Sequence, residues 1–79
     1  MRIIYVLSVN KVLIMTGQEL VNLLKKKGWL HKDTRGSHYQ MINPETGQKV
    51  PIPVHGSRDI PIGTLHAILK QLGLSRGDI

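Results

Sequence analysis

The hydrophobic pattern in the first half of the chain predicts one amphipathic helix with a signal at each end. Its apolar face consists of Leu20, Leu23 and Leu24. Thr16 and Glu19 have the spacing of a capping box, in which each side chain accepts a hydrogen bond from the other residue's backbone amide. Gly28 can adopt the left-handed conformation that follows a helix, and Trp29 can then pack on the last turn. The pattern predicts a helix over residues 17–27.

The end of the chain follows the same pattern and predicts a second helix. Its apolar face consists of Ile62, Leu65, Ile68, Leu69 and Leu72. Pro61 suits the first position of a helix, because the backbone amide at that position has no partner within the helix. Gly73 is placed to end this helix as Gly28 ends the first one. The pattern predicts a helix over residues 61–72, weakened locally by Gly63.

Between the two helices the hydrophobic pattern changes from helical to alternating, which predicts three strands. We place these strands at residues 29–34, 38–42 and 49–54. Because side chains alternate across a strand, Tyr39 and Met41 share one face of the second strand and His38 lies on the other face. Residues 35–37 form the first turn, and the composition of residues 43–47 predicts the second turn.

Pro51 and Pro53 place the third strand at an edge of the sheet. Proline has no amide hydrogen, and residues two apart in a strand direct their amides to the same side. Both prolines therefore remove donors from one edge only. The amides of Val50, Ile52 and Val54 stay free to pair with a neighbouring strand on the other edge.

The order of these elements predicts a two-layer α+β domain, α-β-β-β-α, with both helices on one face of a three-stranded antiparallel sheet. The other face is left to solvent or to a partner. We assign residues 16–79 to this domain and residues 1–15 to an N-terminal extension. The extension is either an extra strand or the product of an upstream start codon. Its apolar run is too short to span a bilayer.

The charge balance adds a polyanion as the expected partner. Lys and Arg number 11 against 5 Asp and Glu, which gives a net charge of +6. Such an excess favours nucleic acid. A membrane surface is not expected as a partner, because no stretch combines a basic face with a large apolar one at helical spacing. The chain has no cysteine, which excludes thiol nucleophiles and Cys-type zinc sites and fits a cytoplasmic protein.

Three short motifs make the chain resemble the HicA family of bacterial toxins. The first helix ends in Lys27-Gly28-Trp29, the first turn leads into Gly36-Ser37-His38-Tyr39, and the last helix begins with Pro61-Ile62-Gly63-Thr64-Leu65. The resemblance covers about residues 16–74. The order of elements and the basicity also resemble the double-stranded-RNA-binding fold.

The resemblance implies an endoribonuclease that cleaves messenger RNA without a metal ion or another cofactor. It also implies a HicB-type antitoxin that masks the site. The family's catalytic histidine follows the Gly-Ser pair, which implies that His38 is catalytic. From the residues alone, a histidine at the start of a strand is more often an ordinary surface residue.

The chemistry of RNA is compatible with so small a catalyst. The 2′-hydroxyl lies beside the scissile phosphate, so one imidazole can act as general base and accelerate cleavage by roughly 10²–10⁴-fold. Lys32, Arg35 and Lys49 would lie near His38 if the three strands are adjacent, and their charges can stabilise the transition state. The Gly36-Ser37 turn offers backbone donors and a hydroxyl to the phosphate. The expected product is a 2′,3′-cyclic phosphate.

The other histidines and two other functions remain open. His31 lies on the same face as His38 in one of the possible registers and is then a candidate acid. His55 is a candidate phosphate contact, and His66 is expected to be solvated. Their spacing matches no tight metal-binding motif. The alternative functions are a non-catalytic module that recognises double-stranded RNA by shape and a protein-binding sheet face.

Overall fold

The computed structural model describes residues 2–6 and 10–74 of the chain, without the side chains of the residues before Ile14. In chain order its elements are β1 Arg2–Val6, β2 Asn10–Ile14, α1 Gly17–Lys26, β3 Leu30–Arg35, β4 His38–Ile42, β5 Lys49–Pro53 and α2 Ile62–Leu72. Strands β3, β4 and β5 form an antiparallel sheet with β4 in the middle. The predicted α+β architecture is therefore confirmed.

The start of α1 has the predicted capping box. The Glu19 amide donates to the Thr16 hydroxyl at 3.1 Å, and the Thr16 amide donates to the Glu19 carboxylate at 2.8 Å. These bonds satisfy amides that have no partner within the helix. They fix the point at which the chain enters α1.

Both helices end in the same hydrogen-bonded motif, as the sequence predicts. The backbone φ angle is 94° at Gly28 and 73° at Gly73, in the left-handed region that favours glycine. The Trp29 amide then reaches back to the Leu24 carbonyl at 2.9 Å. In the second helix the Leu74 amide donates to the Leu69 carbonyl, also at 2.9 Å. These are the bonds of a Schellman ending.

Some element bounds differ from the predicted ones by one residue. Helix α2 begins at Ile62, because Pro61 has a ψ of 140° and serves as the cap. Helix α1 ends one residue early because Lys27 is its C-terminal cap. Strand β3 starts after Trp29, which completes the helix ending, and extends to Arg35, which pairs with the next strand.

Strand β5 is the outer strand, as its prolines predict. It pairs with β4 alone among the strands that the structure describes, with Pro51 opposite Gln40 and Pro53 opposite His38. Beyond the strand end, the Val54 amide donates to the Ser37 carbonyl at 2.7 Å. The edge of β5 on which the two prolines lack amide hydrogens therefore faces away from β4.

Both helices cover the same face of the three-stranded sheet. The buried core consists of Met15, Leu20, Val21, Leu24, Trp29, Met41, Val50, Ile52, Ile60, Leu65, Ile68 and Leu69. Met41 and Val50 are directly opposite each other in the sheet. Burying one such side chain stabilises the fold by roughly 1.5–3 kcal/mol. A register slip by one residue would turn these side chains to solvent, so burial fixes the register.

A second set of backbone contacts ties the start of α1 to the segment before α2. The Ile60 amide donates to the Met15 carbonyl at 2.9 Å, and Thr16 forms an isolated antiparallel bridge with Asp59. The Met15 side chain is buried in the core, although the sequence division puts this residue in the extension. The division into residues 1–15 and 16–79 stays a prediction.

The extension contains two paired strands. Strands β1 and β2 are antiparallel, with Arg2 opposite Ile14 and Val6 opposite Asn10. They form a sheet separate from the three-stranded one. Residues 75–79, which the sequence assigns to the domain, lie outside the described residues. Within the described part of the chain, neither helix has the length and hydrophobicity needed to cross a membrane.

The first residue of α1 packs directly on the end of β5. A Cβ atom at Gly17 would overlap the Pro53 carbonyl oxygen and lie 2.9 Å from the Cα atom of Val54. Both are backbone atoms and cannot rotate away. The absence of a side chain at Gly17 therefore lets α1 approach β5.

We expect Gly17→Ala to lower the free energy of unfolding by about 1–3 kcal/mol, because α1 must move away from β5. Gly63→Ala is the matched control. A Cβ at Gly63, near the start of α2, meets nothing within 4 Å. We expect this variant to gain up to about 1 kcal/mol from better helix propensity. Urea unfolding measures both values, and a Gly17→Ala protein as stable as the wild type would contradict the close approach.

Candidate functional site

His38 lies on the open face of the sheet. It is the first residue of β4, and its side chain is exposed. Arg35 is directly opposite it on β3, and Pro53 is directly opposite it on β5. Directly opposed residues in a sheet share a face, so the imidazole has a cationic side chain as its neighbour on one side. On the other side its neighbour is the uncharged ring of Pro53.

A two-residue turn delivers His38 to this position. Gly36 and Ser37 connect the paired residues Arg35 and His38. Gly36 has a φ of 60°, the sign that two-residue hairpin turns require at their first central position. Gly36 is exposed and bears no side chain, so the approach to His38 from the turn is open.

Lys32, Arg35 and Lys49 form a cluster of exposed positive charges, which we call the cationic cluster. A hydrogen bond from Lys32 and repulsion by its charge lower the pKa of Lys49 below its ordinary value of 10.5, and the charge of Arg35 lowers it further. Such an effect requires the three side chains to lie close together. The three cations that the sequence singled out therefore interact with one another, but only Arg35 is directly opposite His38, since Lys49 is opposite Ile42 at the other end of β4.

An irregularity in β3 brings Lys32 into this cluster. The pairing with β4 shifts between His31 and Asp33, so Lys32 is an extra residue with no direct partner. Extra residues of this kind bend a strand and redirect a side chain. Asp33 is opposite Gln40, on the open face, and the interaction of Lys32 with Lys49 places Lys32 on that face as well.

Asp33 offsets part of the positive charge. Its Oδ2 atom is 3.7 Å from Nε of Arg35, and the two side chains are 43% and 75% exposed. An ion pair this exposed contributes about 0–1 kcal/mol, so its effect is on local charge rather than on stability. Oδ1 of Asp33 is buried and accepts no hydrogen bond within the described residues. One carboxylate against three cations leaves this surface positive.

His31 lies on the opposite face from His38, so the register that would have brought the two together is not the one observed. His31 is opposite Met41, and its ring stacks on the ring of Tyr39 with centroids 4.6 Å apart. Its Nε2 atom is 2.9 Å from the Thr34 hydroxyl oxygen. The irregularity at the next residue changes the alternation of β3, and therefore His31 belongs to the helix side of the sheet.

His55 is the histidine that the structure brings next to His38. The ring centroids are 6.4 Å apart and the ring planes are at 79°. Both side chains are exposed. The sequence indicated only a phosphate contact for His55. The proximity follows from Pro53 lying opposite His38, because His55 comes two residues later in the chain.

The fourth histidine, His66, lies apart from His38 and His55. His66 is exposed on α2, which covers the other face of the sheet. Among the residues that the structure describes, no group of three or more His, Cys, Asp or Glu side chains is placed to hold a metal ion.

The fold and this surface can be compared with known proteins. Residues 17–74 match the family model described as the HicA toxin of bacterial toxin–antitoxin systems. The matched segment begins at the first residue of α1 and ends two residues after α2. It includes His38, His55 and the cationic cluster. A search of the curated proteins finds no match. Because the family model covers most of the chain, the protein is a member of the HicA toxin family.

Proposed function

We propose that this toxin cleaves messenger RNA, with His38 as the general base and without a metal ion. The observation that carries the proposal is the position of His38, exposed on the open face and directly opposite Arg35. RNA supplies its own nucleophile in the 2′-hydroxyl. The protein then needs to supply a base, positive charge and an unobstructed approach for the phosphate.

Each of these requirements has a residue to meet it. The His38 imidazole removes the proton of the 2′-hydroxyl, and the oxygen attacks the adjacent phosphorus. Arg35, directly opposite His38, stabilises the charge that develops on the phosphate oxygens, and the lysines of the cationic cluster attract the neighbouring phosphates of the chain. Gly36 leaves space beside the imidazole, and Ser37 can donate its hydroxyl to the phosphate. The chain is cut with a 2′,3′-cyclic phosphate at one end.

The cationic cluster also supports RNA as the partner. Like charges held together disfavour the folded state unless an anion lies among them. The folded protein binds the Lys49 proton less tightly than the unfolded chain does, since the pKa of Lys49 is lowered. The resulting penalty is present at neutral pH and disappears as the pH rises from the lowered pKa through 10.5. A phosphate backbone removes the repulsion at neutral pH.

A toxin of this family has a cognate antitoxin. We further propose that this antitoxin is of the HicB type and covers the open face of the sheet. Leu30 is 56% exposed there, opposite Ile42, and offers apolar contact area beside the charges. The place of action that we propose is the cytoplasm, where messenger RNA is translated.

The first test is cleavage of RNA by the purified wild type and by His38→Ala, with EDTA present. We expect the variant to lose roughly 10²–10⁴-fold in cleavage rate, because the base is removed. RNA affinity, measured alongside by fluorescence anisotropy, is expected to change little. His66→Ala is the control, because its side chain is exposed on the far layer of the domain.

Two results would contradict the proposal. Equal cleavage by the wild type and His38→Ala would place the nuclease elsewhere. Binding by both without cleavage would favour the module that recognises double-stranded RNA by shape.

A second test concerns the cationic cluster. We expect a DNA oligonucleotide, which lacks the 2′-hydroxyl, to raise the pKa of Lys49, because its phosphates oppose the repulsion from Lys32 and Arg35. Lys32→Met is expected to raise the same pKa without ligand and to weaken oligonucleotide binding. Lys70→Met, on α2, is the control for lost net charge. NMR titration of the lysine ammonium groups gives the pKa. An unchanged Lys49 pKa on binding would show that the phosphates contact another surface.

A further inference from the structure

We propose that His55 is a second catalytic residue, the acid that protonates the leaving 5′-oxygen. This inference rests on the proposed cleavage of RNA by His38. It supplies the step that a single base leaves undone, because the P–O5′ bond breaks readily only when the departing oxygen receives a proton.

The spacing of the two rings suits a shared phosphate. The His38 and His55 centroids are 6.4 Å apart with the rings nearly perpendicular. In comparison, the stacked rings of His31 and Tyr39 are 4.6 Å apart and in contact over their faces. The wider, nearly perpendicular pair is not packed face to face. Hydrogen bonds of about 2.7–3.0 Å from each ring can then reach different oxygens of one phosphate seated over the pair.

The backbone on both sides of His55 is anchored to the domain. Before it, the Val54 amide donates to the Ser37 carbonyl at 2.7 Å, next to His38 itself. After it, the Arg58 amide closes a turn onto the His55 carbonyl at 3.1 Å. The Ile60 amide then donates to the backbone carbonyl of Met15 at 2.9 Å. The loop that carries His55 is therefore held beside β4 at both ends.

The other groups around His38 are poorer acids for this step. An efficient proton donor titrates near the working pH, which for an unaided side chain means histidine. Arg35 carries a guanidinium, a group suited to binding phosphate oxygens rather than to giving up a proton. Lys32 is a cation whose ordinary role beside a phosphate is to stabilise negative charge. Lys49 is opposite Ile42, at the other end of β4 from His38. His31 is on the other face of the sheet.

The two histidines together complete the reaction. Neutral His38 accepts the proton of the 2′-hydroxyl as the O2′–P bond forms. Protonated His55 gives its proton to O5′ as the P–O5′ bond breaks. The products are a 2′,3′-cyclic phosphate and a 5′-hydroxyl. His38 ends protonated and His55 neutral, and exchange with water restores both for the next turnover.

The test uses an RNA that the wild type cleaves and a copy of it in which sulfur replaces O5′ at the mapped cleavage site. A thiolate leaves without being protonated, so this substrate needs no acid. We expect His55→Ala and His55→Gln to lose roughly 10²–10⁴-fold on the ordinary RNA. On the sulfur-containing RNA we expect these variants to come within about tenfold of the wild type, since the step that they lack is bypassed. His38→Ala is expected to stay slow on both substrates, and His66→Ala to match the wild type on both.

Thermal unfolding and RNA affinity of each variant separate a chemical role from a structural one. An equal loss on both substrates, or no loss on either, would overturn the assignment of His55 as the acid. Rescue of His38→Ala in place of the His55 variants would reverse the two roles. Failure of the wild type to cleave any RNA in the first place would instead refute the proposed nuclease function itself.

Discussion

The burial of one face of β4 decides which way His38 points. Met41 is fully buried under the two helices, opposite the equally buried Val50 on β5. Side chains of a strand alternate with a period of two, so the residues that flank Met41 must face outward. His38 belongs to that outward set. The same hydrophobic burial that stabilises the domain therefore keeps the imidazole on the open face, and no separate interaction is needed to hold it there.

Contacts along the sheet edge then decide what lies next to His38. The two-residue turn sets Arg35 opposite the histidine on one side, and the register of β5 sets Pro53 opposite it on the other. Backbone pairing continues one residue past β5, where the Val54 amide donates to the Ser37 carbonyl, and His55 follows beside His38. The prolines of β5 protect its outer edge from pairing, while its inner edge positions the second imidazole.

Local signals were enough to predict the helices and the edge strand. The capping box, the two helix endings and the paired prolines each involve residues close together in the chain, and the structure confirms them. Predicting the site needed more. The position of His31 depends on the extra residue Lys32, which changes the alternation of β3 and has no sequence signature of its own. The pairing of His38 with His55 depends on the register across the turn at residues 43–48, which hydrophobic pattern alone does not determine.

We propose that the 2′-hydroxyl of RNA is the nucleophile and that the protein contributes imidazoles and positive charge. End-group analysis of RNA cut by the purified protein in EDTA distinguishes this nucleophile from water. We expect a 2′,3′-cyclic phosphate on one fragment and a 5′-hydroxyl on the other. A 5′-phosphate with a 3′-hydroxyl would mean that water is the nucleophile, and it would contradict the roles assigned to both histidines.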